Sequence, residues 1–322
     1  MKNLLIRLAT IGSVAAIAIA ATGAFFSDTE TSIGNSLVAG ALDLKVDNTC
    51  YYNGQACISG SWGGVPENGS CSCTWTQKDL EEGDMFFDLT DLKPGDWEED
   101  TISLHITNND AWVCADLDIT QDIDNGCTEP ETEDGDLQCP LPVPTPPASP
   151  HPGGDGELAE ELNFIFWADD GDNVYEVGED RLHAGPASEV LGGAKWTLAD
   201  SGNNPFEEGP LKGSKDYFVG KAFCYGALTE SPIPQDPALD NTPAQDNNGD
   251  LVIDSLDGGF GCDGSQVNNV SQTDLLSGNV VFEAVQGRHN DNFLCNPLPT
   301  ATPAATPLAS PLVSPSPLPS AS

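Results

Sequence analysis

Ile102-Ser103-Leu104-His105-Ile106-Thr107-Asn108-Asn109-Asp110-Ala111-Trp112-Val113-Cys114-Ala115-Asp116-Leu117-Asp118-Ile119-Thr120 is the stretch whose reading decides the fold. Ile102, Leu104 and Ile106 alternate with Ser103, His105 and Thr107, while Val113, Ala115, Leu117 and Ile119 face away from Asp116, Asp118 and Thr120. Successive side chains of a strand point to opposite faces, so a period of two sets one face against a core and the other in water. Leu42, Leu44 and Val46 repeat the pattern against Asp43, Lys45 and Asp47, and Asn163 to Trp167, Tyr217 to Tyr225 and Val280 to Gln286 complete a set of short strands separated by turn residues. Lys93-Pro94-Gly95-Asp96 fits a type II turn, proline fixing the second position and glycine supplying the positive φ of the third. One short helix is expected over 156–162. Half-buried strands without a βαβ rhythm predict an all-β protein with insertions, an antiparallel sandwich with short helices in its loops. The alternation by itself fits a jelly-roll and an immunoglobulin-like sandwich equally.

Outside these strands the composition changes. Pro140 to Gly154 is a proline-rich insertion, extended and solvated because proline lacks the amide donor that sheets and helices use. Residues 296–322, rich in Pro, Ser, Thr and Ala, read as a stiff tail without an LPxTG sorting signal or a terminal apolar helix. The sandwich is therefore expected over 36–295, split in sequence by the insertion. At the other end Lys2 and Arg7 precede an uncharged apolar run, Leu8 to Ala20, and then the small residues Thr22 and Ala24. That is the order of a cleaved signal peptide over 1–24, and an apolar core of about a dozen residues is short of the roughly 20 that a spanning helix needs. Export is expected, with the mature chain starting at Phe25 and no stable membrane anchor after cleavage. Ten cysteines, an even number in an exported chain, predict disulfides, with local staples within Cys50 to Cys73 and across Cys127 to Cys139.

The chain carries 51 acidic against 11 basic residues, a formal net charge of −40. Phosphate backbones are repelled by such a surface, which excludes nucleic acid as a partner and points to divalent cations instead. The motif that would hold one is Asp246-Asn247-Asn248-Gly249-Asp250-Leu251-Val252-Ile253-Asp254-Ser255-Leu256-Asp257. Read as a twelve-residue calcium loop, it offers the side chains of Asp246, Asn248, Asp250, Asp254 and Asp257 and the Val252 carbonyl, with Ile253 as the inward anchor. It resembles dockerin-type loops, which also end in Asp. Leu251 departs from the pattern, since that position wants glycine for its sharp turn. A second loop, Ala168 to Glu179, offers Asp170, Asp172, Glu176, Glu179 and the Val174 carbonyl, with Asn173 at the turn; Ala168 leaves the first position without a ligand that Asp169 can replace. Bound Ca2+ would be structural, lowering the repulsion between carboxylates.

Catalytic signatures are missing. There is no HExxH, GxSxG or P-loop, and His105, His151, His183 and His289 are isolated in sequence. Gly259-Phe260-Gly261-Cys262-Asp263-Gly264 matches GxGxxG only formally, because it follows an acidic loop and opens no helix. Six tryptophans, Trp112 foremost, are candidates for a sugar-stacking face, although packing in a core is the commoner fate of an indole.

Three landmarks in order, Gly23-Ala24-Phe25-Phe26-Ser27-Asp28 followed by Ala39-Gly40-Ala41-Leu42-Asp43-Leu44, then Leu92-Lys93-Pro94-Gly95-Asp96, then Phe282-Glu283-Ala284-Val285-Gln286, resemble the TasA and camelysin (CalY) family. The resemblance implies a jelly-roll sandwich, processing by a SipW-type signal peptidase, and a structural role at the cell surface or in a biofilm matrix. It further implies self-association, or association with other matrix proteins, by donor-strand exchange, with Phe25 to Asn35 as the donor. Camelysin relatives also carry the label of metallopeptidases, which makes a secreted hydrolase the alternative. A polysaccharide-binding adhesin is the third reading.

Overall fold

The computed structural model describes residues 27–31, 42–126, 128–136 and 156–297. Fourteen strands run in chain order: β1 Ser27–Thr31, β2 Asp43–Tyr52, β3 Gln55–Ile58, β4 Ser61–Trp62, β5 Trp75–Lys78, β6 Trp97–Thr107, β7 Ala111–Ile123, β8 Leu162–Asp169, β9 Arg181–Pro186, β10 Gly192–Ala199, β11 Lys215–Tyr225, β12 Ala227–Glu230, β13 Phe260–Asp263 and β14 Leu275–Gln286. Three one-turn helices, α1 Glu129–Asp134, α2 Leu158–Glu161 and α3 Ala187–Val190, sit between them. The smaller sheet has the order β1-β14-β7-β10; the larger runs β4-β3-β2-β6-β11-β8-β9, with β5 added on β2; β12 and β13 form a separate hairpin. Every named strand pair is antiparallel.

The two large sheets close on one apolar core. The larger contributes Leu44, Val46, Ile102, Leu104, Phe164, Phe166 and Val219, the smaller Ala115, Leu117, Trp196, Val280 and Phe282. Phe166 bridges the sheets edge to face against Trp196, with centroids 4.5 Å apart, and Phe86 of the β5–β6 connection packs edge to face on Phe282 at 6.0 Å. This is the antiparallel β-sandwich that the alternating sequence predicts, and the short helix expected over 156–162 is α2. The Lys93–Asp96 turn also forms as expected, with the Asp96 amide donating to the Lys93 carbonyl at 2.8 Å and Gly95 at φ 92°.

A second, smaller cluster lies on the outer face of the larger sheet, where Trp97, Ile165, Trp167 and Ala222 are covered by Tyr175 and Phe260. The covering residues come from the two acidic segments, 168–179 and 246–263. Strand β6 is thereby buried on both faces: Glu98, Asp100, Ile102 and Leu104 look into the sandwich, and Trp97, Glu99, Thr101 and Ser103 look toward the acidic loops.

Among the described residues four disulfides are formed: Cys50–Cys73, Cys57–Cys71, Cys114–Cys295 and Cys224–Cys262. The first two are the local staples expected between Cys50 and Cys73. The expected Cys127–Cys139 bridge, the signal segment, the proline-rich insertion and residues 298–322 lie outside the described residues, as does most of the Phe25 to Asn35 segment. Of that segment Ser27–Thr31 is described: it is β1, and it pairs with β14 of its own chain from Ser27 opposite Val285 to Thr31 opposite Val281. No helix among the described residues is long and apolar enough to cross a membrane.

Candidate metal centre

The loop after β8 folds around its own carboxylates. Asp169 Oδ2 accepts from the amides of Gly171 and Asn173, both at 3.2 Å, and Asp172 Oδ1 from that of Val174 at 3.0 Å. Glu179 closes the loop, its two oxygens accepting from the amides of Asp170 at 3.0 Å and Glu176 at 2.8 Å. Asn173 takes the left-handed turn at φ 67°, which asparagine tolerates better than most residues. Inside, Val174 and Tyr175 are buried, and the Tyr175 ring packs on Trp167 with centroids 5.5 Å apart, which bolts the loop to the sheet.

Two trios of carboxylates come together here, each with ligand oxygens within 4.8 Å of one another: Asp169, Asp170 and Glu179, and Asp170, Asp172 and Glu176. All four side chains expected to bind from this loop are included, and Asp169, which follows the ligand-free Ala168, joins the first trio. The Val174 carbonyl belongs to the same turn. Gln235 reaches Asp170 at 2.6 Å and also Glu176, and the Asp236 amide donates to Glu176 Oε1 at 2.9 Å, so a distant segment seals the outer side.

Such crowding makes the charged forms costly. Burial, followed by the hydrogen bonds and charges around it, leaves the Asp169 carboxyl pushed up to about 7. Burial and then the Asp169 charge push Asp172 up to about 8 and Glu179 up to about 9. Asp170 and Glu176 are raised as well, burial again leading. Neutralisation by protons or by a hard cation with oxygen ligands relieves the same repulsion, and oxygen-only donors of this kind suit Ca2+.

The 246–257 loop forms the turns that its sequence predicts, but its acids are arranged differently. Asp246 accepts from the amides of Gly249 (2.8 Å), Asp250 (3.1 Å) and Leu251 (3.0 Å), Asn248 from that of Asp250 (2.9 Å), and Asp250 from that of Val252 (2.8 Å). Asp254 caps a 3-10 turn over Ser255–Gly258, and Asp257 accepts from the amides of Asn247 at 2.7 Å and Asn248 at 3.1 Å. No three of its carboxylates approach as those of the 168–179 loop do. Ile253, expected as the inward anchor, is half exposed and leans on the backbone at Gly54. The equivalent place in the other loop is held by the buried Tyr175.

Three features escape the sequence pattern. Glu99, on β6, is fully buried, and neither of its oxygens has a hydrogen-bond partner. On the opposite face of the same strand Glu98 and Asp100 clasp the buried Lys221 of β11, with Nζ 3.1 Å from Glu98. A third acidic group gathers around α2, where Asp274 accepts from the amides of Glu157 (2.7 Å) and Leu158 (3.1 Å), and burial plus the charges of Asp136 and Asp274 push Glu157 up to about 7. Its members are scattered through the sequence, so spacing gives no signal for it.

Histidine takes no part in the metal-capable groups among the described residues. His105 is not the free surface residue that its polar neighbours suggest: its ring is held between Asp47 at 2.6 Å and Asp216 at 2.7 Å, on the strands either side of β6. Trp112 is buried, its indole N–H donating to the Asn290 carbonyl at 2.9 Å, and Trp62, Trp97, Trp167 and Trp196 are buried too. Only Trp75 stays half-exposed.

The chain matches no protein-family model and no curated protein. What fold and site define is a class: a disulfide-stapled, strongly acidic β-sandwich whose outer sheet face is covered by carboxylate-rich loops.

Proposed function

We propose that the protein is an exported structural component of a cell surface or biofilm matrix, of TasA type, stabilised by Ca2+ and assembled by exchange of its N-terminal strand. The observation that carries this reading is the placement of β1. Ser27–Thr31 forms the edge of the smaller sheet, held there by backbone pairing to β14 alone. A short terminal strand at a sheet edge can leave and be replaced by the same strand of a neighbour with no loss of hydrogen bonds, since donor and acceptor are identical in every copy. The four disulfides, which persist in oxidising compartments, support an extracellular site of action. Calcium fits the oxygen-only trios of the 168–179 loop.

The test compares a chain starting at Phe25 with one starting at Ser36, both in calcium. The longer chain is expected to grow into polymers by light scattering. The shorter one keeps the β14 acceptor edge but has no donor, so it is expected to remain monomeric and to bind a synthetic peptide of residues 25–35. Equal sizes for the two chains, or no binding of the peptide, would overturn strand exchange.

A further inference from the structure

Glu99 is a strand residue with nowhere to put its charge. It lies in β6 between Tyr51 of β2 and Ala222 of β11 and is wholly removed from solvent. The carboxylate rests directly on the backbone of Gly258, where a Cβ would meet Oε1 at 1.8 Å, so that only glycine lets the 246–258 loop lie over it. Asp257, the residue before that glycine, is fully buried. On the other side stand Asp169 and Asp172 of the 168–179 loop; the strongest charges acting on Glu99 are those of Asp169, Asp100, Asp172 and Asp257, every one of them negative. The neighbouring polar atoms are unpaired as well: Asp172 Oδ2 and both side-chain polar atoms of the buried Asn173 lack hydrogen-bond partners. A cavity of about 210 Å³ lies beside it, bounded by Thr101 and Ser103 of β6 and by Asp172 and Asn173.

A buried carboxylate without a donor is tolerated in a folded protein only if it is neutralised. Lys221 serves Glu98 and Asp100 on the opposite face of the strand. Glu99 belongs to no trio whose oxygens already lie within 4.8 Å of one another, so an ion there would draw the surrounding carboxylates inward. We propose that Glu99, Asp169, Asp172, Asn173 and Asp257 form a buried divalent-cation site, taking Ca2+, that joins both acidic loops to strand β6. This deepens the calcium reading given above and rests on it. The oxygen donors are hard, they come from three separated parts of the chain, and two of them, Asp172 and Asn173, border the cavity. An ion there would hold the loops down on the outer cluster around Trp167, and Glu99 rather than any loop residue would be its anchor on the sheet.

Terbium tests the assignment, because it replaces calcium and is excited by a nearby indole. The Trp167 N–H donates to Asp169 Oδ1 at 3.0 Å, which places a donor ring beside the site. The purified oxidised protein, freed of metal by a chelator, is titrated with Tb3+, competed with Ca2+, and melted with and without Ca2+; Glu99→Gln is treated identically. Trp-sensitised emission from the wild type, a weaker emission from E99Q that comes from the loop sites alone, and one class of Ca2+ site lost or weakened by at least about 10-fold are expected. In chelator E99Q should melt no lower than the wild type, since the amide removes a buried charge, while gaining less from Ca2+. Binding by E99Q equal to that of the wild type would overturn the site and leave Glu99 a protonated core acid, with the loop sites intact. A wild type that neither binds Ca2+ nor melts higher in it would overturn the calcium reading as a whole. If E99Q does not fold, Tb3+ lifetimes of the wild type in H2O and D2O decide: an ion with almost no bound water supports the buried site, and well-hydrated ions alone overturn it.

Discussion

Leu251 shows how much a single position records. It holds a left-handed conformation, φ 71°, where the calcium-loop pattern wants glycine, and its side chain is 90% exposed. An L-residue with a Cβ pays about 1–2 kcal/mol for that conformation, and no burial offsets it here. Leu251→Gly is therefore expected to raise stability by about 0.5–1 kcal/mol in urea unfolding, after the greater freedom of glycine in the unfolded chain is subtracted. No change, or a loss, would mean that the loop does not need this turn. Leu251 and Asn173 were legible in the sequence, because a twelve-residue register fixes which position must turn. Glu99 was not. In the run Trp97-Glu98-Glu99-Asp100 three adjacent acids carry no alternation and no ligand spacing, and the groups that bury them come from segments near residues 86, 175, 221 and 258. Only the closed fold reveals that one of the three lacks a counter-charge.

At the level of strands, the sequence pattern identified most of the long strands that meet the core. β2, β6, β7, β8, β11 and β14 all fall on segments so identified. β9 and β10 did not stand out, because Gly185 and Pro186 end one and Gly192 and Gly193 begin the other, residues that ordinarily punctuate turns. Nor could alternation show that Lys221 and Asp100 lie opposite each other on β11 and β6, since register is a property of the pair. The pairing has a measurable consequence. Lys221 is held protonated against the cost of its burial by Asp100 and Glu98. Lys221→Met strands two buried carboxylates and is expected to cost roughly 3–5 kcal/mol near pH 8. The loss should shrink near pH 5, where the stranded acids take up protons; an equal loss at both values would show that packing, not charge, is what the lysine supplies.

For the whole molecule the governing quantity is the charge of −40. Without divalent cations, Asp169, Asp172 and Glu179 titrate near 7, 8 and 9 in the folded protein, against about 4 in an unfolded chain. Between these values the folded state holds more protons than the unfolded state, so stability declines as pH rises through that window. In chelator the melting temperature is expected to fall steadily from pH 5 to pH 9. Calcium, which binds the deprotonated ligands, should flatten or reverse the slope. A melting temperature in chelator that climbs with pH would contradict the burial of these carboxylates.

The sulfur bridge between Cys114 and Cys295 spans 181 positions and lands near the start of β7, where its neighbours β14 and β10 flank it. Tension applied to the two ends of the chain therefore bypasses everything from β8 through β14, crossing from one cysteine to the other through a covalent link. The Cys50–Cys73 bridge shortens the load path in the same manner near the front. In a fibre under shear, such a subunit would yield only along its first strands while the carboxylate-bearing half stayed slack, and a reductant would turn the same protein from a stiff link into an extensible one.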